Sequence, residues 1–254
     1  MFDAEYSTYQ DVRKHIRAWS MILLPGMWAA FFFLVLPPEV RLSTITYLKD
    51  TASAFSAIGV AILSLGLFSA IGYLLIETFQ AHELYDRIFI RWRKQFDLNF
   101  LLIRLVAPFR NCLDARFDDF CRQNRDTFMT DLFYYFVRDQ EPRIARATIT
   151  RFYEAVTRYW QFQFTELCMV LWLIALYFSL YWSRSPQWRA HLLLVVGGWL
   201  ILWFVVRLVS AYFRRIVSAR TFDEIAEIHN YQAAALEDRL RLICHKYSLS
   251  YVPR

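Results

Sequence analysis

The chain has little glycine and little lysine, and it lacks the short motifs that mark common enzymes. Its 254 residues include six glycines and 29 basic residues, of which only four are lysine. No GxSxG, Walker, HExxH or GxGxxG pattern is present. The four cysteines form no CxxC pair, and no His or Cys pairs stand at zinc-ligand spacing. We therefore expect a protein that is not an enzyme and that has neither a cofactor nor a metal site.

Charge is also missing from four long stretches, and these are rich in Leu, Ile, Val, Phe, Trp and Ala. Each is 17 to 26 residues long. A helix rises about 1.5 Å per residue and the hydrocarbon core is about 30 Å thick, so a span needs roughly 20 apolar residues. The sequence therefore predicts four transmembrane helices. The uncharged stretches are 18–38, 51–76, 167–183 and 190–206.

The basic residues predict the topology. The loops 39–50 and 183–189 hold only four of the 29 Lys and Arg residues. Cytoplasmic segments retain positive charge, so both termini and the long central segment should lie in the cytoplasm of a bacterium, with the protein in its inner membrane. The net charge of +6 then needs no nucleic-acid partner.

We predict an all-α integral membrane protein with four transmembrane helices and a helical cytoplasmic lobe. Glycine is absent from 77–166, which predicts long helices over 77–107 and 109–138. The predicted segments are a cytoplasmic N-terminal segment (1–17), a transmembrane hairpin (18–76, with spans 18–38 and 51–76), a cytoplasmic helical region (77–163), a second hairpin (164–213, with spans 164–183 and 190–213), and a cytoplasmic C-terminal helix and tail (214–254).

The second span carries small residues on one face: Ser56, Gly59, Gly66 and Ala70. Small residues let helix backbones approach closely in lipid, where association depends on packing. This face is therefore predicted either to line a pore or oligomer axis, or to pack tightly inside one bundle.

Arg207 interrupts the apolar stretch of the fourth span, and Glu77 and Glu166 are expected at a similar depth. Charged residues inside spans usually face a partner or a water-filled cavity. One hypothesis is an intramembrane charge cluster of Glu77, Glu166 and Arg207 that gates or lines an ion path. The alternative is that Arg207 extends to the headgroups along its own stem.

Two further groups of titratable residues follow the second and fourth spans. We interpret both as solvated helix faces. His82 and Glu83 are adjacent and point in different directions, and His229 does not join the face that Asp223 and Glu227 share. They are His82, Glu83 and Asp86, and Asp223, Glu224, Glu227 and His229.

The layout of two spans, a long helical cytoplasmic segment, two more spans and a cytoplasmic tail resembles that of bestrophin-type chloride channels. It also resembles that of small membrane effectors in bacterial antiviral defence systems. These resemblances imply a homo-oligomeric channel or pore-type effector that is regulated through its cytoplasmic lobe. The alternatives are a non-conducting scaffold or sensor that binds a cytoplasmic protein, and a membrane-embedded enzyme. The expected partners are the lipid bilayer, further copies of the chain and a cytoplasmic protein, and we expect no nucleic acid or nucleotide.

Overall fold

The computed structural model describes residues 9–35, 54–137, 143–182 and 186–252. Over these ranges the backbone is helical apart from turns and one isolated β-bridge. The predicted all-α fold is confirmed for this part of the chain. Five helices of 14 residues or more are α1 (Tyr9–Val35), α2 (Ala54–Glu77), α3 (Arg146–Trp182), α4 (Pro186–Tyr231) and α5 (Ala233–Lys246).

Among the described residues, two helices are long and apolar enough to cross a membrane. They are the portion Arg146–Phe178 of α3 and the whole of α4. A third span is present if the bent pair Ile62–Glu77 and Ala81–Ile90, which meet at 60°, is one broken span. Helix α1 is not among the spans found within the described residues. The structure thus indicates membrane association, and the predicted outer loop 39–50 lies outside the described residues.

Apolar residues on α4 point away from the rest of the chain. Leu194 and Ile201 are 78% and 69% exposed, and Leu208, one further heptad along, is also exposed. Of the apolar 18-residue segment of this helix, only 17% is buried inside the chain. A soluble protein rarely leaves so large an apolar surface open to water, so lipid is the natural neighbour of this face.

The chain forms two compact units. The first, here called the membrane unit, contains residues 13–85 and 157–212. The second, here called the lobe, contains residues 1–12, 86–156 and 213–254. Each unit has a core of its own, so each can be described separately.

Trp28 of α1 lies at the centre of the packing between helices in the membrane unit. Its ring packs edge-on against Trp172 of α3 at 4.3 Å between centroids, and it stacks on Phe68 of α2 at 4.7 Å. Nearby, the Ser20 hydroxyl donates a 3.0 Å hydrogen bond to the carbonyl of Gly72. Helices α1 and α2 therefore approach closely at Gly72.

Replacing Gly72 with alanine is expected to destabilise the α1–α2 pair. An added Cβ would lie 2.7 Å from the Ser20 carbonyl oxygen, and a backbone atom cannot move aside as a flexible side chain can. We expect a loss of about 1–3 kcal/mol, as in other overpacked contacts. Thermal unfolding in detergent tests this expectation.

Gly197→Ala on α4 is the matched control, because among the described residues nothing lies within 4 Å of its added Cβ. It should unfold at the wild-type temperature or slightly above it, since alanine favours a helix over glycine. Equal unfolding temperatures for the two variants would contradict the close approach of α1 and α2 at Gly72.

The core of the lobe is rich in phenylalanine. Phe117, Phe128 and Phe136 are almost fully buried, and Leu236 and Leu240 of α5 belong to the same cluster. Burying an aromatic side chain removes roughly 150–250 Å² of surface from water, so aromatic residues are among the largest contributors to the stability of a core. The lobe is therefore held together by apolar packing between α5 and the short helices of 92–137.

The structure corrects the long helices predicted for 77–107 and 109–138. Helices break at 78–80, at Arg91, at 113–116 and at Asn124. No glycine makes these breaks: Gln80 and Arg91 adopt positive φ values of 45° and 56°. Side-chain acceptors supply the turn hydrogen bonds instead, since Asp86 accepts from the Arg93 amide at 3.1 Å. The Asp114 carboxylate does the same for the Arg116 amide at 2.8 Å.

Candidate functional site

Glu166 on α3 is the centre of the candidate site, and its side chain is fully buried. Its Oε1 atom accepts a hydrogen bond from the Arg207 guanidinium at 2.6 Å and another from the Tyr85 hydroxyl at 3.1 Å. Its Oε2 atom is buried and has no hydrogen-bond partner in the described part of the chain. We call Tyr85, Glu166 and Arg207 the Glu166 site.

Antiparallel packing of α3 and α4 brings Glu166 and Arg207 together. One turn towards the lobe end of the pair, the Gln163 amide donates to the Ser210 hydroxyl. In the opposite direction the Trp199 indole donates to the Met169 carbonyl at 3.2 Å. The contact between Glu166 and Arg207 is therefore one of a series of polar contacts along this helix pair.

Tyr85 reaches Glu166 because the chain bends after α2. The bend of 60° starts the helix Ala81–Tyr85, whose Ala81, His82 and Tyr85 are buried. The His82 ring packs edge-on against Trp160 of α3 at 5.0 Å. The bent helix therefore lies against α3 and supplies the hydroxyl group of the site.

The Glu77 carboxylate, the third member of the predicted cluster, lies with the N-terminal helix. Its Oε2 atom is 3.0 Å from the Arg13 guanidinium, and its Oε1 atom is 3.7 Å from that of Arg17. Among the described residues its ion pairs are with these two arginines and not with Arg207. The structure thus joins two members of the predicted cluster directly and gives the third a different cationic partner.

The Glu166 site has the electrostatics of a compensated buried charge. A carboxylate in an apolar interior needs a cation and hydrogen bonds, and Arg207 and Tyr85 provide both. The Arg207 side chain is 34% exposed, so the site has a half-buried cation whose NH1 atom binds the fully buried Glu166. The unbonded Oε2 atom leaves the site able to accept one more hydrogen bond, for example from water.

Two glycines of the predicted small-residue face of α2 are open in the single chain. Among the described residues nothing lies within 4 Å of a Cβ built at Gly59 or Gly66, and Ala70 is exposed. Ser56 belongs to α2, but its side chain lies outside the described residues. The contacts of α2 with α1 are made by a different face, which includes Ser69 and Gly72.

The structure contradicts the interpretation of solvated faces for several of the remaining titratable groups, whereas the Asp223 side chain is substantially exposed, as that interpretation predicts. His82 and Asp86 are 1% and 3% exposed, and Glu224 is fully buried. Glu227 accepts hydrogen bonds from the Ala145 amide at 2.9 Å and from the Thr148 hydroxyl at 2.5 Å, and it thereby caps the start of α3. These side chains are buried or bonded because neighbouring segments of the chain cover them.

Sequence reasoning missed two partners of the site residues, Tyr85 and Arg13. Tyr85 has no distinguishing sequence signal, since it is one of 15 tyrosines and its role depends on the bend at 78–80. Arg13 did have a signal, because Arg13 and Arg17 are four residues apart and so share a face of α1.

Comparison of the chain with protein-family models, with curated proteins and with solved structures found no match.

Proposed function

We propose that this protein is a homo-oligomeric membrane channel or pore-type effector of a bacterial inner membrane, with four spans and both termini in the cytoplasm. In this proposal the lobe is cytoplasmic and regulates the membrane unit. The proposal is supported by the helices that can cross a membrane, by the exposed apolar faces and by a charged pair in the interior. It extends the coarser finding of membrane association.

The observation that carries the proposal is the open small-residue face of α2. Neither Gly59 nor Gly66 has a neighbour within 4 Å in the described part of the chain, and Ala70 is exposed, although small residues in membrane helices usually permit close contact. Gly72, on a different face of the same helix, already makes such a contact with α1. A second copy of the chain, or a water-filled axis lined by several copies, is the proposed neighbour of the open face.

The Glu166 site is the proposed gating element. The bent helix contributes Tyr85, α3 contributes Glu166 and α4 contributes Arg207, so any relative movement of these elements changes the site. Ionisable residues inside membrane spans are rare, and a pair of them is a candidate for an ion pathway. Opening would require the Arg207–Glu166 contact to be exchanged for contacts with water or ions.

Planar-bilayer recordings test the proposal. The purified protein should give discrete conductance steps, and Gly59→Leu or Gly66→Leu should reduce the step size or abolish conduction, because leucine fills the open face. The same variants should alter the size of the detergent-solubilised particle if α2 forms the oligomer contact.

Gly198→Leu is the matched control on α4. Gly198 is exposed on the same face as Leu194 and Ile201, so another leucine there only extends a surface that is already bulky. It should conduct like the wild type. A silent bilayer with wild-type protein, together with a particle of monomeric size, would overturn the proposal.

The alternative is a non-conducting scaffold or sensor. The packed lobe favours this alternative. A compact unit with its own aromatic core can offer a well-defined surface to a cytoplasmic protein. Absence of conductance combined with a stoichiometric soluble partner would support this function over the channel.

A further inference from the structure

Two arginine side chains in the lobe enclose one tyrosine ring. The Cζ atoms of Arg143 and Arg239 lie 3.7 Å and 3.5 Å from the centroid of the Tyr135 ring. At these distances both guanidinium groups lie over the ring, and because they cannot share one face they occupy opposite faces. Their Cζ atoms are therefore no more than 7.2 Å apart, which is the sum of the two distances.

These two arginines differ from others in the lobe in their counter-charges. Arg125 and Arg241, for example, lie 2.5 Å from Asp97 and 2.6 Å from Glu237. Neither Arg143 nor Arg239 forms an ion pair with a carboxylate of the described residues. The ring offsets part of the repulsion between the two cations through its negative faces, but it supplies no net charge.

Hydrogen bonds fix the position of Arg143. Its backbone amide donates to the Phe136 carbonyl at 2.9 Å, and its carbonyl accepts from the Gln232 side chain at 3.1 Å. Its guanidinium donates to the Tyr135 hydroxyl oxygen. Because that oxygen accepts, the hydroxyl hydrogen remains available to donate outwards. Two guanidinium groups and one hydroxyl thus place their donors around one held ring.

We propose that Tyr135, Arg143 and Arg239 bind a phosphate monoester. Such a group carries about −1.5 to −2 charges at pH 7 and three strong acceptor oxygens, which matches two cations and three donating groups. Guanidinium groups bind phosphate through paired N–H donors, and this geometry discriminates a tetrahedral dianion from chloride. The phosphate belongs either to a soluble phosphorylated compound or to a lipid headgroup. The site lies wholly within the lobe and does not depend on the membrane unit conducting ions.

The first experiment titrates inorganic phosphate into the full-length protein in detergent by calorimetry, at an ionic strength held constant with sodium chloride. The wild type should show saturable binding. Arg143→Gln and Arg239→Gln should each bind about tenfold more weakly or worse, because each removes one charged donor fork. Arg239→Lys should fall between wild type and Arg239→Gln, since it keeps the charge but loses the fork.

Arg220→Gln is the matched control, because Arg220 pairs with Asp223 on the surface of α4 and lies outside the site. It should bind phosphate like the wild type. The side chains altered in these variants are exposed or partly exposed in the wild type, so the unfolding temperatures should stay close to that of the wild type. Such temperatures would show that the variants are folded.

The second experiment identifies the source of the phosphate. The wild type and Arg239→Gln are reconstituted in nanodiscs of phosphatidylcholine, with or without phosphatidic acid, and their unfolding temperatures are compared. Stabilisation by phosphatidic acid that is lost in Arg239→Gln assigns a lipid headgroup, whereas saturable binding of free phosphate without this lipid effect assigns a soluble ligand. The proposal is overturned if neither phosphate nor phosphatidic acid has an effect, or if Arg239→Gln responds like the wild type. Neither result depends on conductance, so a failure here is distinguishable from a failure of the channel proposal.

Discussion

Replacing Arg207 with alanine is expected to lower the stability of the membrane unit by about 3–5 kcal/mol, the usual effect of removing one partner of a buried ion pair. Glu166 is fully buried and would keep only the Tyr85 hydroxyl as a donor. The expected measurement is a lower unfolding temperature in detergent, followed through tryptophan fluorescence. Glu166→Gln in the Arg207→Ala background should recover much of the loss, because it removes the uncompensated charge.

Arg220→Ala provides the control on the same helix. Arg220 pairs with Asp223 at 3.3 Å, but both side chains are substantially exposed, so the loss should be within about 1 kcal/mol. Equal effects of Arg207→Ala and Arg220→Ala would show that Arg207 reaches the headgroups independently and does not stabilise Glu166. In that case the gating role proposed for the Glu166 site would also be wrong.

Replacing Glu224 with glutamine is expected to stabilise the lobe at neutral pH. Glu224 lies on α4 beyond residue 213, outside the predicted span, and its side chain is fully buried. Neither carboxylate oxygen has a hydrogen-bond partner in the described ranges. Burial, with smaller contributions from the nearby Glu227 and Asp223 carboxylates, raises the pKa of Glu224 well above its ordinary value of 4.5.

The direction of the pH dependence follows from which state holds the proton. Above pH 4.5 the unfolded chain releases the Glu224 proton while the folded chain retains it. Stability therefore falls by about 1.4 kcal/mol for each pH unit, from the unfolded pKa up to the raised folded pKa. Glutamine carries no titrating proton, so the variant should lack this decline and gain most over the wild type at neutral and alkaline pH.

Thermal unfolding of both proteins from pH 4 to pH 8 measures the effect. The two curves should meet near pH 4.5 and separate as the pH rises. Glu154→Gln is the control, because Glu154 is exposed on α3 and belongs to the same unit. A constant difference between Glu224→Gln and wild type across this range would rule out a proton held by Glu224 in the folded state.

The prediction for Glu224 shows where sequence reasoning reached its limit. Asp223, Glu224 and Glu227 read as a charged helix face, yet Glu224 is buried and Glu227 caps the start of α3. Helical spacing places side chains around one helix only. Which side of α4 is covered depends on segments that are distant in the chain.

The prediction of long helices between residues 77 and 138 is wrong for a related reason. The absence of glycine indicated continuous helix, because glycine is the usual residue where φ is positive. In the structure Gln80 and Arg91 adopt positive φ, and acceptors such as the Asp86 carboxylate bond to the amides near the break.

The sequence by itself determined that the chain is helical and associates with a membrane, because these properties follow from local hydrophobicity and the spacing of charges. Only the tertiary structure decided that Glu166 binds Arg207 and Tyr85, that Glu77 binds Arg13, and that two arginines enclose Tyr135. Each of these contacts joins residues far apart in the chain or across a turn. They depend on helix register and on bends that a local pattern does not specify.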